Sequence, residues 1–264
     1  MGTIRHQHYA HSANWNPWEG CRRFSEACKH CFIFPSLYGR DTSVVRRCTS
    51  TWGDPLKWQK EAAEAGGRKT VGVCFCSDFL IEQADAWRPE AWDIIKKALN
   101  ITWVILSKRT HRLADCLPPD WGDGYPNVAL GTSVELKSHL DRIDRLRAVP
   151  AMLRFIDLCP CLEDPTPELG DHLDGIGWVS ISGECDTPNF RLFDLQWARN
   201  VRDMCALRRI PFKFGHQAGR ERRPTGLLDG RVYRDIPEFL KETGKCARYQ
   251  LTAPVGAEEG ENHD

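Results

Sequence analysis

The sequence predicts an α/β protein: a single (β/α) barrel, of the partial or irregular TIM-like kind. Three observations carry that prediction. Short apolar runs rich in β-branched residues alternate with longer stretches whose apolar positions recur at three and four. The runs are almost continuously apolar, the pattern of parallel strands covered on both faces. Polar and ionisable residues collect where each run ends, and in parallel α/β folds a site forms at those ends. At 264 residues the chain has an ordinary length for one such barrel. An open doubly wound sheet is the competing architecture.

A first strand is expected around residues 8–16, ahead of a cysteine-rich loop. TVGVCF (70–75) follows, then a helical stretch around PEAWDIIKKALN. TWVIL (102–106) precedes a helical turn near HRLADCL. NVALGT (127–132) leads into HLDRIDRLRAV, and MLRFIDL (152–158) into a Pro-interrupted stretch. IGWVSIS (176–182) precedes the helix-periodic LQWARNVRDMCALRR, and IPFKF (210–214) closes the series. That makes about seven β/α units, with a domain over residues 1–249 and a small, acidic, disordered tail over 250–264.

The strand ends supply the candidate residues. The second run ends in Cys76, Ser77 and Asp78, the third in Ser107, Lys108 and Arg109, and the fourth in Thr132, Ser133 and Glu135. The fifth ends in Asp157, Cys159, Cys161 and Glu163, the sixth in Ser182, Gly183, Glu184 and Cys185, and the last in Lys213, His216 and Gln217. Each group also has a plainer reading. Ser77 and Asp78 could cap a helix. Lys108 and Arg109 could form a solvated turn, Ser133 and Glu135 a helix start, and residues 182–184 a tight turn.

Composition narrows the class. Lys+Arg and Asp+Glu both number 36, so a net charge of zero argues against a bulk polyanion binder and leaves a local basic groove open. No run of 18 apolar residues occurs, so no membrane-spanning helix is expected. The start, MGTIRHQHYAHSANW, has no apolar core of a signal peptide, and a cytoplasmic location is expected. There the twelve cysteines read as reduced thiols, metal ligands or core residues, not as a disulfide frame.

Three of those cysteines, Cys21, Cys28 and Cys31, form a C-x6-C-x2-C loop in WNPWEGCRRFSEACKHCF. A structural zinc site wants four closed ligands. A [4Fe–4S] cluster on three thiolates leaves one iron open for an exchangeable ligand, which suits chemistry rather than scaffolding. Zinc with His30 or a distant cysteine as fourth ligand is the alternative. Cys48, Cys74, Cys116, Cys205 and Cys246 read as buried small hydrophobes. Cys76, Cys159, Cys161 and Cys185 lie near the expected mouth, as a further ligand or a redox-active thiol.

The segments NWNPWEGC with C-x2-C, CFCSDF, ILSKRTHRL, NVALGTSVE, LRFIDLCPCLE, IGWVSISGE, IPFKF and LLDGR-x-Y-x-x-IP, in that order over residues 10–240, carry a resemblance. They resemble a phage and bacterial family named for its three-Cys motif and related to radical S-adenosylmethionine (SAM) enzymes. The resemblance implies a barrel of the radical SAM type. It implies a [4Fe–4S] cluster on Cys21, Cys28 and Cys31, and SAM as cosubstrate, cleaved with an electron from an external donor so that hydrogen is abstracted from a substrate carbon. Ser77 and Asp78 would hold the SAM amine, Lys108 or Arg109 its carboxylate, and Ser133, Glu135 or Glu184 its ribose. The substrate would be a small molecule, a nucleotide or modified DNA, and the reaction a rearrangement of the isomerase type in phage DNA hypermodification, in the host cytoplasm. The chain departs from the family pattern in its six-residue first gap. It also has His30 in an aromatic slot, Cys159-Pro160 for Glu-Pro, and Gly215 to Gly219 for Lys-Gln-Trp-Gly. Those later departures point to Cys159, Glu184 and His216 as the substrate-facing residues. A zinc- or cluster-bearing nucleic-acid-binding module without radical chemistry is the competing function.

Overall fold

A computed structural model describes residues 11–34, 41–221, 223 and 225–244. The expected tail, and Cys246, lie outside the described residues. A seven-stranded, all-parallel sheet organises the chain, from strands β1 (Ala13–Trp15), β4 (Lys69–Val73), β5 (Ile101–Ser107), β6 (Val128–Ser133), β7 (Leu153–Leu158), β8 (Trp178–Ile181) and β9 (Phe212–Phe214). Their spatial order is their sequence order, β1-β4-β5-β6-β7-β8-β9. Two short strands, β2 (Trp18–Glu19) and β3 (Arg46–Arg47), pair antiparallel beside the first strand. A second hairpin joins β10 (Leu227–Leu228) to β11 (Arg231–Val232).

The helices are α1 (Asp54–Glu64), α2 (Arg88–Lys97), α3 (Leu113–Cys116), α4 (Asp141–Arg147) and α5 (Leu195–Leu207). Pro55 and Pro89 open α1 and α2 in the first turn, where a missing N–H costs nothing. Asp194 caps α5 by accepting from the Gln196 N–H at 2.8 Å. One helix, α1, was not expected from the sequence. Its own start signal, Asp54-Pro55, was legible.

Each strand has two differently packed faces. Val71, Val73, Trp103, Ile105, Ile156, Val179 and Phe214 join the main core with Trp92 and Ile95 of α2, Ile143 of α4 and Val201 of α5. The intervening residues Val104, Ala129, Leu153, Phe155 and Trp178 form a smaller apolar layer with Leu240 on the other, concave face. Phe155 there lies over Gly131, where a Cβ would sit 2.3 Å from the ring.

The closed barrel is not formed. The sheet is a curled half-barrel, with β1 and β9 as its two edges. Both edge strands have only three residues. The concave face also finds an apolar partner without closure. The segment 236–242 packs against it through Ile236, Phe239 and Leu240. Thr70 Oγ1 donates to the Leu240 carbonyl at 2.9 Å, and the Thr70 N–H donates to Glu242 Oε1 at 3.0 Å. Among the described residues no helix is long and apolar enough to cross a membrane.

Candidate functional site

The three-cysteine loop follows β1 and lies across the C-terminal ends of the central strands. Its approach depends on Gly20, whose φ of +88° and close packing leave no room for a side chain: a Cβ would sit 2.4 Å from the Val44 carbonyl oxygen. The Gly20 N–H donates to Cys76 O at 3.1 Å, and the Cys21 N–H to Thr42 O at 2.8 Å. A short 3-10 turn over Glu26–His30 then carries Cys28 and delivers Cys31.

The six residues between Cys21 and Cys28 dock the loop. Arg109 Nη2 donates to the Arg22 carbonyl at 2.8 Å. Phe24 lies under the guanidinium groups of Arg109 and Arg142, at 4.9 and 5.4 Å, and stacks on His111 at 5.4 Å. The Ser25 hydroxyl donates to Glu135. Arg191 reaches Glu26, donating to its carbonyl at 3.2 Å. Beyond Cys28, His30 Nδ1 pairs with Glu184 Oε2 at 3.1 Å.

The strand-end residues therefore converge, and their bonds go largely to one another and to this loop. Asp78 pairs with Arg109 at 3.0 Å, and accepts from Ser107 Oγ at 2.6 Å and from the Leu80 N–H at 2.9 Å. Arg109 is only 3% exposed, which rules out the solvated turn. Burial works to lower its guanidinium, but Asp78, Cys21 and Glu82 together outweigh burial and hold it above the ordinary value. Ser77 Oγ donates to the Gly20 carbonyl at 2.5 Å. Glu135, 1% exposed, faces Lys108 Nζ at 3.6 Å, Arg142 Nη1 at 2.8 Å and His139 Nδ1 at 3.6 Å. Burial pushes its carboxyl up, yet Lys108, His139, Arg142 and Ser25 hold it well below the usual carboxylate range. Glu184 accepts from Arg191 Nη2 at 2.5 Å and Nε at 3.0 Å. Burial raises its carboxyl too, and Arg191 and His30 more than offset it. Ser133 is buried at the end of β6, two positions before Glu135.

Cys21 and Cys28 are buried and Cys31 half-buried. Burial pushes the Cys21 thiol up to about 12, with Asp78, Cys28 and Cys31 adding to it and Arg109 opposing. Burial also raises Cys31, again with Cys28 adding and Lys108 and Arg23 opposing. The three thiols are thus close enough to feel one another, under a cationic ring of Arg109, Lys108 and Arg23. Burial, with Asp78 at Cys21, favours the protonated thiols; Arg109, Lys108 and Arg23 offset part of that, and a bound metal would displace the protons. The side chains are not gathered into a cage: among the described residues, no group of three or more His, Cys, Asp or Glu is placed to hold a metal ion. A fourth thiol, Cys76, is near enough to Cys31 for their charges to interact, and burial raises it to about 11.

The later strands form a different rim. Cys161 N donates to Ser182 O at 2.9 Å, Gly183 N to His216 O at 2.9 Å and Gly219 N to Glu184 O at 2.9 Å, lacing the ends of β7, β8 and β9 together. Cys159, Glu184 and His216 accordingly lie on adjoining segments. His216, 1% exposed, faces Cys185 Sγ through Nε2 at 3.6 Å and the Gln217 carbonyl through Nδ1 at 2.9 Å. Cys159 is half-buried, within electrostatic reach of both Lys108 and Lys213. Of the cysteines read as core residues, Cys74, Cys116 and Cys205 are buried, and Cys48 is half-buried.

Sequence reasoning missed Arg142, His139, Arg191 and Phe24 as parts of the site. Nothing in the helical period of residues 139–147 separates Arg142 from a surface arginine. Lys213 was noted only as a strand end. Its signal was available: in IPFKF a period of two sets it on the opposite face from Phe212 and Phe214.

The model of a family described as "Protein of unknown function (DUF5131)" matches residues 6–237. No curated protein matches the chain, and no solved structure matches it. The chain belongs to the DUF5131 family.

Proposed function

We propose that this DUF5131 member is a radical SAM enzyme whose [4Fe–4S] cluster is held by Cys21, Cys28 and Cys31. The observation that carries the reading is the docked loop: three mutually interacting thiols fastened over the C-terminal ends of parallel strands, facing Lys108 and Arg109. When bound and reduced, the cluster supplies the electron that cleaves SAM. The chain's own residues bind, orient and exclude water. Asp78, Arg109, Glu135 and Glu184 act as positioning residues for the loop, since their bonds run to it or to each other. Lys108, beside both Glu135 and Cys28, is the best placed cation for the SAM carboxylate. Ser77, Asp78, Arg109, Ser133, Glu135 and Glu184 line the same mouth and offer the remaining contacts to its amine and ribose. The substrate enters at the later rim, past Cys159, Glu184 and His216. A nucleotide or modified-DNA rearrangement in the cytoplasm is the reaction class proposed.

Anaerobic purification tests the reading. A brown protein carrying about four irons and four sulfides per chain is expected. The dithionite-reduced protein should release 5′-deoxyadenosine from SAM. A fully loaded protein that leaves SAM intact overturns the radical reading.

A second reading has one specific observation behind it, the proximity of Cys76 to Cys31. Four thiolates from residues 21, 28, 31 and 76 would make a structural zinc site of a binding module. A colourless protein with one zinc, lost in Cys76→Ala, is its signature.

A further inference from the structure

A second cluster of chemistry-bearing side chains lies on the later strands. On the concave face, Asp157 of β7, Ser180 of β8 and Lys213 of β9 stand in one register row, Asp157 opposite Ser180 and Ser180 opposite Lys213. All three are buried, and Lys213 is 6% exposed. The Ser180 hydroxyl donates to Asp157 Oδ1. One layer below, Phe155 and Trp178 form an aromatic floor, with the Lys213 ammonium 5.9 Å from the Trp178 ring. Above the row lies the rim of Cys159, Ser182 and His216. An amine, a hydroxyl and a carboxylate are thus set side by side on the wall of an open half-barrel, where a core would hold apolar residues.

We propose that Lys213 is a nucleophilic amine that condenses with the carbonyl group of an aldehyde or keto compound, with Asp157 as its proton-transfer partner. The amine nitrogen attacks the carbonyl carbon, forming a C–N bond as the carbonyl π pair moves to oxygen. Asp157 takes a proton from the nitrogen and returns it to the oxygen. A second proton, taken up from solvent through Asp157, converts the hydroxyl to water, which leaves as the nitrogen lone pair forms the C=N bond; a protonated imine remains, and no oxidant or reductant is involved. Ser180 holds Asp157 in orientation. The groups that face Lys213 are Asp157, Arg234 and Cys159. Burial pulls the Lys213 ammonium down to about 8, with Arg234 adding to it and Asp157 and Cys159 opposing. The amine is therefore substantially neutral just above physiological pH. The row lies below the rim of the same mouth, since Cys159 is within electrostatic reach of both Lys213 and Lys108, but the condensation itself draws on no cluster.

The test uses the full chain without reconstituted metal and one probe, glyoxylate, with cyanoborohydride to trap the imine, read by peptide mass spectrometry at pH 7.5. The exposed Lys57 and Lys60 are internal references. Lys213 should be trapped at least ~10-fold faster than either, because far more of its amine is neutral at that pH. Asp157→Asn should slow trapping at Lys213 ~10-fold and leave Lys57 and Lys60 unchanged. Trapping at Lys213 no faster than at the references shows an inert buried ion pair and overturns the proposal. So does preferential trapping at Lys108. Because the decisive comparison is made within the unaltered protein, a misfolded variant cannot obscure it, and cluster loading does not enter the result.

Discussion

The early and late halves of the half-barrel use charge differently. In the early half, β1 and β4 to β6, buried charges are paired into clamps: Asp78 with Arg109, and Glu135 with Lys108 and Arg142. An aromatic layer backs them, with Trp15 against Trp103 at 5.3 Å, Trp18 against Phe79 at 5.2 Å and Phe79 against Trp92 at 4.9 Å. In the late half, β7 to β9, one clamp remains, Glu184 with Arg191 and His30, and beside it stand an amine pulled toward neutrality, a carboxylate, thiols and a histidine: Lys213, Asp157, Cys161, Cys185 and His216. The first arrangement suits a scaffold that must hold a loop in place. The second suits groups that change protonation state during a reaction.

The largest expected effect separates the halves outright. Replacing Cys21, Cys28 and Cys31 together by Ala should abolish iron binding in reconstituted protein while the circular dichroism of the fold survives, since the strands supply the core. Asp157→Asn and His216→Ala, in the other half, should leave iron loading at the wild-type level. Iron retained in full by the triple variant would break the comparison at its root.

Next in size is the clamp. Asp78→Ala strands the buried Arg109 guanidinium, and breaking a buried pair this way costs about 3–5 kcal/mol. It should also lower iron loading, because Arg109 fixes the Arg22 carbonyl. Denaturant unfolding together with an iron assay distinguishes the two consequences; a stable variant with normal loading would show that the clamp does not hold the loop.

Glu135 gives the acid-side test. Its folded carboxyl lies well below the unfolded value of 4.5. The stability it contributes is therefore complete above pH 4.5 and is lost as pH falls below that value toward the folded one. Glu135→Gln should flatten the fall in Tm between pH 5 and 3, so long as the comparison is made at matched ionic strength. On the alkaline side, burial raises Cys205 in α5 from 9.0 to about 12. A raised thiol favours the folded state below pH 9, and that contribution is lost as pH rises toward 12. Cys205→Ala should make stability less sensitive to pH over this interval, measured by chemical denaturation in reductant.

The smallest effect belongs to the surface. The pairs Lys57–Glu61 and Lys60–Glu64 on α1 are solvent-exposed. Lys57→Ala should shift stability by no more than about 0.5 kcal/mol and leave both halves of the site untouched. A larger loss would mean that α1 supports the cysteine loop through contacts other than its buried face.

The strands and most helices were legible in the sequence because each is encoded locally. A run such as TWVIL is apolar at every position after its threonine, and LQWARNVRDMCALRR repeats at three and four, whatever surrounds them. The clustering of Cys21, Cys28 and Cys31 was legible for the same reason, as was the gathering of polar residues at strand ends. Closure was not. Whether seven parallel strands meet depends on the edge strands and on what fills the concave face, and here residues 236–242 fill part of it from far along the chain. Partnership was not legible either. Ser25 meets Glu135 across 110 residues and His30 meets Glu184 across 154. Sequence spacing carries no record of such distances. The residue types at the mouth were therefore set by the sequence, and their division into clamps and reactive groups was decided by the tertiary structure, because a charge acquires its character from burial and from the partner that folding brings beside it.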